Sequence, residues 1–97
     1  MLLHSVIFTW KEGVDRREVD TVTAALEEMK GAVKGLLSLQ HGPDLALRPG
    51  NGDYLLVATF ESEAAWRGYQ AHPGHKKLVS EILPSLLASR IAVQTAL

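Results

Sequence analysis

Apolar residues alternate with other residues in some segments of the chain and recur every three or four positions in others. Four segments are predicted to be β-strands; the first is rich in β-branched and aromatic residues and ends near Gly13, which is typical of a strand and its exit turn. They run from Leu2 to Lys11, from Leu36 to about Leu45, from Tyr54 to Glu61 and from Ser89 to Thr95. The second is the weakest, because Gly42 and Pro43 interrupt it.

A long amphipathic helix is predicted between the first two strands. Asp15, followed three residues later by Glu18, forms a variant of the capping box that starts helices. Apolar residues then recur at spacings of three and four. They are Val19, Val22, Leu26, Met29 and Val33. We expect Gly31 or Gly35 to end this helix.

Two shorter helical stretches follow the third strand. Ser62 is placed to cap a helix over residues 63–71, which must end before His72 because proline disfavours the helical conformation in the residue before it. Pro73 itself suits the first turn of a further helix, which Pro84 stops. Tyr69 lies on the first of these helices.

The order β-α-β-β-α-β predicts an α+β fold of the ferredoxin-like type, with a four-stranded antiparallel sheet in a single domain over residues 1–97. The helices can cover only one face of this sheet. The first and third strands are nevertheless apolar on both faces, so a single copy would expose a large apolar patch. We therefore predict a homodimer that stacks the two open faces into a dimeric α/β barrel.

Composition narrows the class of protein. The 97 residues include no cysteine, which excludes disulfides and thiolate metal sites. Ten lysines and arginines nearly balance 11 aspartates and glutamates without a basic stretch, so we expect no nucleic-acid partner. No apolar run approaches the roughly 20 residues that span a bilayer. With no basic segment or cleavage site at the start, we expect no membrane association and a cytoplasmic location.

Three stretches resemble one known family, the stress-responsive A/B barrel (dimeric α+β barrel) domain. They are the segment from His4 to Phe8 with Lys11-Glu12-Gly13 after it, the strand from Tyr54 to Glu61, and Tyr69-Gln70-Ala71-His72-Pro73-Gly74-His75. The resemblance extends from end to end of the chain. It implies the same ferredoxin-like fold and the same dimer.

The family includes plant stress proteins without an established reaction, bacterial members of unknown role and the polyketide cyclase that forms olivetolic acid. The resemblance to that cyclase implies that Tyr69 is its functional tyrosine, His75 its base and His4 its histidine on the first strand. A further histidine of the cyclase, on the third strand, corresponds here to Tyr54.

The residue types fit proton transfer. A histidine near its ordinary pKa of about 6.5 takes and returns protons at neutral pH, and a tyrosine beside it donates a hydrogen bond to a developing oxyanion. Pro73 could turn His75 back toward the helix that carries Tyr69. Such a pair in a dry pocket could catalyse cyclisation or isomerisation without a cofactor. Alternatively, His72 and His75 cap helices and Tyr69 only fills the core.

Further residues are candidates for ligand binding. On the first strand His4 and Phe8 share one face, which we expect to line the space between the stacked sheets. The substrate-binding candidates are Phe8, Tyr54, Leu56, Phe60, Trp66 and His72. Arg90 could pair with a carboxylate ligand or reach solvent at the sheet edge.

Three functional hypotheses remain. The first is a homodimer that binds a small, largely apolar molecule and transforms it with His75 as base and Tyr69 as oxyanion donor. The second is a non-enzymatic stress protein that acts through its assembly, and the third is a monooxygenase-like dimeric barrel enzyme. We expect no metal, since His72 and His75 alone do not supply the three ligands of a catalytic zinc site, and no cofactor.

Overall fold

Four antiparallel strands form one sheet in the computed structural model, which describes residues 1–97. The strands are β1 (Leu2–Trp10), β2 (Leu36–Pro43), β3 (Tyr54–Phe60) and β4 (Leu87–Ala96). They lie in the order β2-β3-β1-β4, so β1 and β3 are central and β2 and β4 are the edges. The predicted ferredoxin-like arrangement is confirmed.

The first helix, α1 (Arg16–Met29), begins as the sequence predicts. The Asp15 side chain accepts a hydrogen bond from the Glu18 amide at 2.9 Å, and the Glu18 carboxylate accepts one from the Asp15 amide at 3.2 Å. Gly31, with φ of 74°, lies just beyond the end of the helix in a conformation that favours glycine. The capping box and the predicted stop therefore set the ends of α1.

A sharp break at His72 separates α2 (Glu63–Ala71) from α3 (Pro73–Lys77). His72 has extended backbone angles, as expected of a residue before proline. Its Nδ1 accepts a hydrogen bond from the Gly74 amide at 3.0 Å and so caps α3. The break reverses the chain and returns His75 to the end of α2.

Residues 78–85 depart from the regular helix expected up to Pro84. The chain forms a π-helical turn at Leu78–Ile82 and a 3₁₀ turn at Leu83–Ser85. Pro84 has no amide hydrogen, and its ring would clash with the carbonyl four residues earlier, so the regular helix cannot continue through it. We call residues 78–85 the irregular segment.

The edge strands differ from the prediction at their ends. β2 ends at Pro43 rather than near Leu45, because the chain there enters the loop of residues 44–53. β4 begins at Leu87 rather than Ser89, since Leu87 pairs with Trp10 after a register shift in β1. These changes bring the neighbours of Arg90 into regular pairing along β1.

The assignment of the two sheet faces is wrong in one respect. His4, Phe8, Tyr54, Leu56 and Phe60 are all buried within a single chain, where they pack with helix residues in one core. They therefore lie between the sheet and the helices rather than between stacked sheets. The alternation could not identify the covered face because both faces of β1 and β3 are apolar.

The opposite face of the sheet is uncovered in a single chain. Exposed apolar side chains follow one another across β1, β3 and β4. They include Ile7, Leu55, Ile91 and Val93, of which Ile91 is 69% exposed and Val93 57% exposed. We call this surface the open face. No helix of the structure is long and apolar enough to span a membrane.

Candidate functional site

A small cavity of about 20 Å³ lies between the sheet and the helices at the β1–β4 side of the molecule. His4, Tyr69 and His75 all line it, together with Gln70 and Arg90. Its apolar walls come from Val6, Phe8, Leu56, Leu78, Val79 and Leu83. This volume accommodates roughly one water molecule.

Tyr69 and His75 form the tightest aromatic contact of the cavity. Their ring centroids are 4.6 Å apart and the rings are at 61° to each other. Tyr69 is the buried residue of α2, and the break at His72 places His75 on α3 against it. The Nδ1 atom of His75 is buried and has no hydrogen-bond partner. Burying a nitrogen without a hydrogen-bond partner costs free energy and is rare in folded proteins. This nitrogen therefore marks a position where a group of a ligand would form the missing hydrogen bond.

His4 completes the cluster from the sheet. Its side chain is only 2% exposed, and its ring lies 5.9 Å from that of Tyr69. The Gln94 side-chain amide on β4 donates a hydrogen bond to His4 Nδ1 at 2.9 Å. Because Nδ1 accepts this bond, neutral His4 carries its proton on Nε2. Buried His4 is therefore held in one tautomer, in which Nε2 is the hydrogen-bond donor.

The pKa values of all three groups favour neutral side chains. Burial lowers the pKa of His4 to about 4, and the charges of Arg90 and His75 lower it further in the same direction. Burial also lowers the pKa of His75, while a hydrogen bond to the Gln70 main chain acts in the opposite direction. Burial raises the pKa of Tyr69 to about 12, with Arg90 acting in the opposite direction. Near pH 7 the site thus holds two neutral imidazoles and a neutral phenol.

Other predicted binding residues lie outside the cavity. Phe60 and Trp66 pack behind His4, with ring centroids 6.4 Å and 6.1 Å from it. His72 caps α3, as the alternative interpretation expected, through the bond to Gly74 described above. Of the six substrate-binding candidates, only Phe8 and Leu56 line the cavity.

Tyr54 belongs to a separate network at the other end of the sheet. Its hydroxyl is 2.7 Å from Thr23 Oγ1 and 2.8 Å from His41 Nδ1. His41 Nε2 in turn lies 2.8 Å from the Glu27 carboxylate, which also pairs with Lys30 at 2.9 Å. Every polar atom of this His41–Tyr54 pair has a partner.

Arg90, for which the sequence left open a carboxylate partner or solvent, lines the cavity. It sits opposite Phe8 in the β1–β4 pairing, so its side chain shares the covered face with the site. The alternation along β4 places it on that face, but only the pairing register brings it next to His4 and His75. No group of three or more potential metal-ligating side chains occurs in the structure.

A larger groove of about 620 Å³ lies elsewhere, between the sheet and the loop of residues 44–53. Ile7, Leu45, Leu47 and Leu55 contribute its apolar lining. The one histidine in its lining is His41, whose two ring nitrogens already have partners. Its other titratable side chains, Asp44 and Tyr54, also have hydrogen-bond partners, so we place the candidate chemistry at the smaller cavity.

Comparison with known proteins identifies relatives of the whole chain. The model of the stress responsive A/B barrel domain matches residues 2–96. A dimeric ferredoxin-like protein of unknown function from Thermobifida fusca YX is 36% identical with a TM-score of 0.91, over 99% of this chain and 90% of that protein. A search of curated proteins found no match.

Two more distant structures share the fold. One is a protein of the same domain family with a ferredoxin-like fold from Mesorhizobium loti, 17% identical with a TM-score of 0.80, covering 99% of this chain and 95% of that one. The other is a hydroxynitrile lyase from Passiflora edulis, 16% identical with a TM-score of 0.83, covering 99% and 92%.

Proposed function

The chain belongs to the stress-responsive A/B barrel domain family, and on that basis we propose that it binds a small, largely apolar molecule at the cavity of His4, Tyr69 and His75 and moves a proton on it without a cofactor. The observation that carries the proposal is the buried, unpartnered Nδ1 of His75 beside Tyr69. A purely structural histidine would have this nitrogen hydrogen-bonded.

The proposed step is an enolisation. The neutral imidazole of His75 takes a proton from a carbon next to a carbonyl of the ligand, and the C–H electron pair moves onto the carbonyl oxygen. The Tyr69 hydroxyl, kept neutral by its raised pKa, donates a hydrogen bond to the resulting oxyanion. The imidazolium then returns the proton to another position, or the enolate carbon attacks a second carbonyl. The outcome is isomerisation or ring closure.

Ligand entry requires movement of the cavity wall. A cavity of about 20 Å³ holds little more than the reacting group itself. The irregular segment supplies Leu78, Val79 and Leu83 to the wall, and Val79 is 43% exposed. Because π-helical turns interrupt regular helix hydrogen bonding and recur at functional sites, this segment is the part of the wall that yields.

One fold neighbour and a general property of histidine support an enzymatic role. One fold neighbour is a hydroxynitrile lyase, so this architecture accommodates an enzyme. The general acid–base contribution of one positioned side chain is typically about 100- to 10,000-fold, which a single neutral histidine can supply. The relative from Thermobifida fusca YX has no assigned function and adds nothing on this point.

The test uses a neutral chromogenic probe, 5-nitrobenzisoxazole, whose ring opens when a base removes its C–H proton and leaves a phenolate. We expect the protein to accelerate ring opening above the buffer rate. His75→Gln should lower the rate by about 100-fold or more, and Tyr69→Phe by about 10-fold or more. The rate should also rise with pH to a plateau, with its midpoint below pH 6.5, because the pKa of His75 is lowered.

A second histidine–tyrosine pair provides matched controls. His41→Gln and Tyr54→Phe remove the same functional groups from the network that lies away from the cavity. Both variants should retain the wild-type rate while folded. A wild-type rate equal to buffer, or equal losses in the two pairs of variants, would contradict the proposal.

We also propose that two copies associate through the open face. Four large apolar side chains are exposed there, and the 36% identical relative is described as dimeric. A second copy would cover Ile91 and Val93 and fill the groove beside the loop of residues 44–53. Sedimentation should give twice the 10.6 kDa chain mass at micromolar concentration, and Val93→Glu should give the single chain. A wild-type protein that sediments only as one chain would refute the dimer.

A further inference from the structure

We infer that the ligand of this site carries a carboxylate on a small apolar body, and that Arg90 selects this ligand by binding the carboxylate. The inference rests on the proposed function, since it names the class of molecule that the cavity of His4, Tyr69 and His75 takes. Arg90 lies on β4 at the exposed side of that cavity and lines it directly.

The guanidinium of Arg90 has no anionic partner in the protein. The ion pairs of the chain join Glu27 to Lys30 and His41, and Glu63 to Arg67. A guanidinium presents five N–H donors in a planar fork that matches the two oxygens of a carboxylate. Here that fork stands free at the mouth of an apolar cavity.

Arg90 is the only lysine, arginine, aspartate or glutamate that lines the cavity. The charge of Arg90 lowers the pKa values of His4, Tyr69 and His75, and no carboxylate contributes to the pKa shift of any of the three. With both histidines neutral, the site carries one net positive charge and nothing to compensate it. An anionic ligand would neutralise this charge through the bidentate hydrogen bonds that the guanidinium offers.

The remaining wall limits the body of the ligand to apolar groups. Six hydrophobic residues enclose the cavity, and its other lining residues are His4, Tyr69, Gln70, His75 and Arg90. A ligand bound at Arg90 through its carboxylate therefore directs its apolar part inward, toward the proton-transfer pair. Arg90 acts as an anchor that positions the ligand, and His75 acts on the carbon.

The test compares two probes of the same shape, phenylacetate and phenylacetamide, by isothermal titration calorimetry. We expect phenylacetate to bind wild-type protein at least about ten-fold more tightly than the amide, because charge-assisted hydrogen bonds are roughly twice as strong as neutral ones. Arg90→Gln should remove the preference. Arg90→Lys should keep part of it, since it retains the charge without the fork.

The matched control is Arg17→Gln. Arg17 is also an exposed arginine outside the three ion pairs, but it lies on α1 and not on the cavity. This variant removes the same formal charge from the chain and should keep the wild-type preference. Equal loss in the Arg17 and Arg90 variants would show that net charge alone is responsible and would overturn the inference.

The outcomes separate this inference from the proposed function. Ring opening of 5-nitrobenzisoxazole without any preference for phenylacetate would refute the role of Arg90 and leave the base in place. A carboxylate preference that depends on Arg90, without ring opening, would support the anchor and refute the proton transfer. If neither phenylacetate nor phenylacetamide binds, the Arg90 inference fails.

Discussion

The protein contains two histidine–tyrosine pairs with opposite environments. In the His41–Tyr54 pair, the hydroxyl and both ring nitrogens have hydrogen-bond partners within 2.8 Å. In the Tyr69–His75 pair the rings are in contact, yet His75 Nδ1 is buried without a partner. The Tyr69 hydroxyl has no hydrogen bond to the protein. Its pKa is shifted only by burial and by the charge of Arg90.

The difference separates a structural role from a chemical one. The same two residue types stabilise the fold where their polar atoms are satisfied, because each hydrogen bond retained inside the protein offsets the cost of burying it. Where the polar atoms are left free in an apolar cavity, the fold bears that cost and the groups stay available to a ligand. Residue type alone therefore does not identify the site. An unpartnered nitrogen that borders a cavity does, whereas Trp66 Nε1 is also buried without a partner but lies outside the cavity.

Of the changes considered, acidification should lower the free energy of unfolding the most. The pKa of His4 is about 4 in the folded protein and 6.5 as its ordinary value, so the unfolded chain binds a proton first as the pH falls. We expect the free energy of unfolding to be greatest above pH 6.5 and to fall by up to about 3 kcal/mol by pH 4, with His75 adding a loss of the same sign.

Urea unfolding at several pH values measures this loss. His4→Gln should flatten the dependence between pH 6.5 and 4, since the variant has no imidazole to protonate at that position. Glu27 acts only at lower pH, because the hydrogen bond from Lys30 holds the pKa of its carboxyl below 4.5. Parallel curves for wild type and His4→Gln would rule out His4 as the source.

Removing the two tyrosine hydroxyls should have unequal effects on stability. Tyr54→Phe leaves Thr23 Oγ1 and His41 Nδ1 without the Tyr54 hydroxyl and should lower the free energy of unfolding by about 2 kcal/mol. Tyr69→Phe removes a hydroxyl that no protein group holds and should change it by less than about 0.5 kcal/mol. Urea unfolding at pH 7.5 measures both values, and equal losses would contradict the contrast between the pairs.

The smallest effect is expected at the outer end of the structural network. The Glu27 side chain is 52% exposed, so its bonds to His41 and Lys30 are screened by solvent. Thermal unfolding of Glu27→Gln should differ only slightly from wild type at low salt and not at all at high salt. A large destabilisation that persists in high salt would mean that His41 depends on this carboxylate.

The predictions from sequence succeed where one residue determines local geometry. Asp15 and Glu18 define the start of α1, and Pro73 forces the break that returns His75 to Tyr69. These outcomes depend on capping chemistry and on the fixed φ of proline, which act over a few residues. The order of elements, and hence the fold, follows from the same kind of evidence.

The predictions fail where the answer depends on distant parts of the chain. The covered face of the sheet could not be identified, because the apolar residues of β1 and β3 occupy both faces. Arg90 is separated from His4 by most of the sequence, and only the antiparallel register of β1 and β4 joins them. Likewise, Tyr54 differs from Tyr69 through Thr23 and His41, which come from two other elements.

The alternation of side chains along β4 limits how this strand can change during evolution. Arg90 and Gln94 face the cavity, while Ile91 and Val93, between them, face the opposite way. Deleting or inserting a single residue before this stretch would exchange the two sets. A deletion would place Ile91 in the position of Arg90, and an insertion would place Ser89 there. Natural variation in chain length should therefore accumulate in the exposed loop of residues 44–53 and be absent from β4.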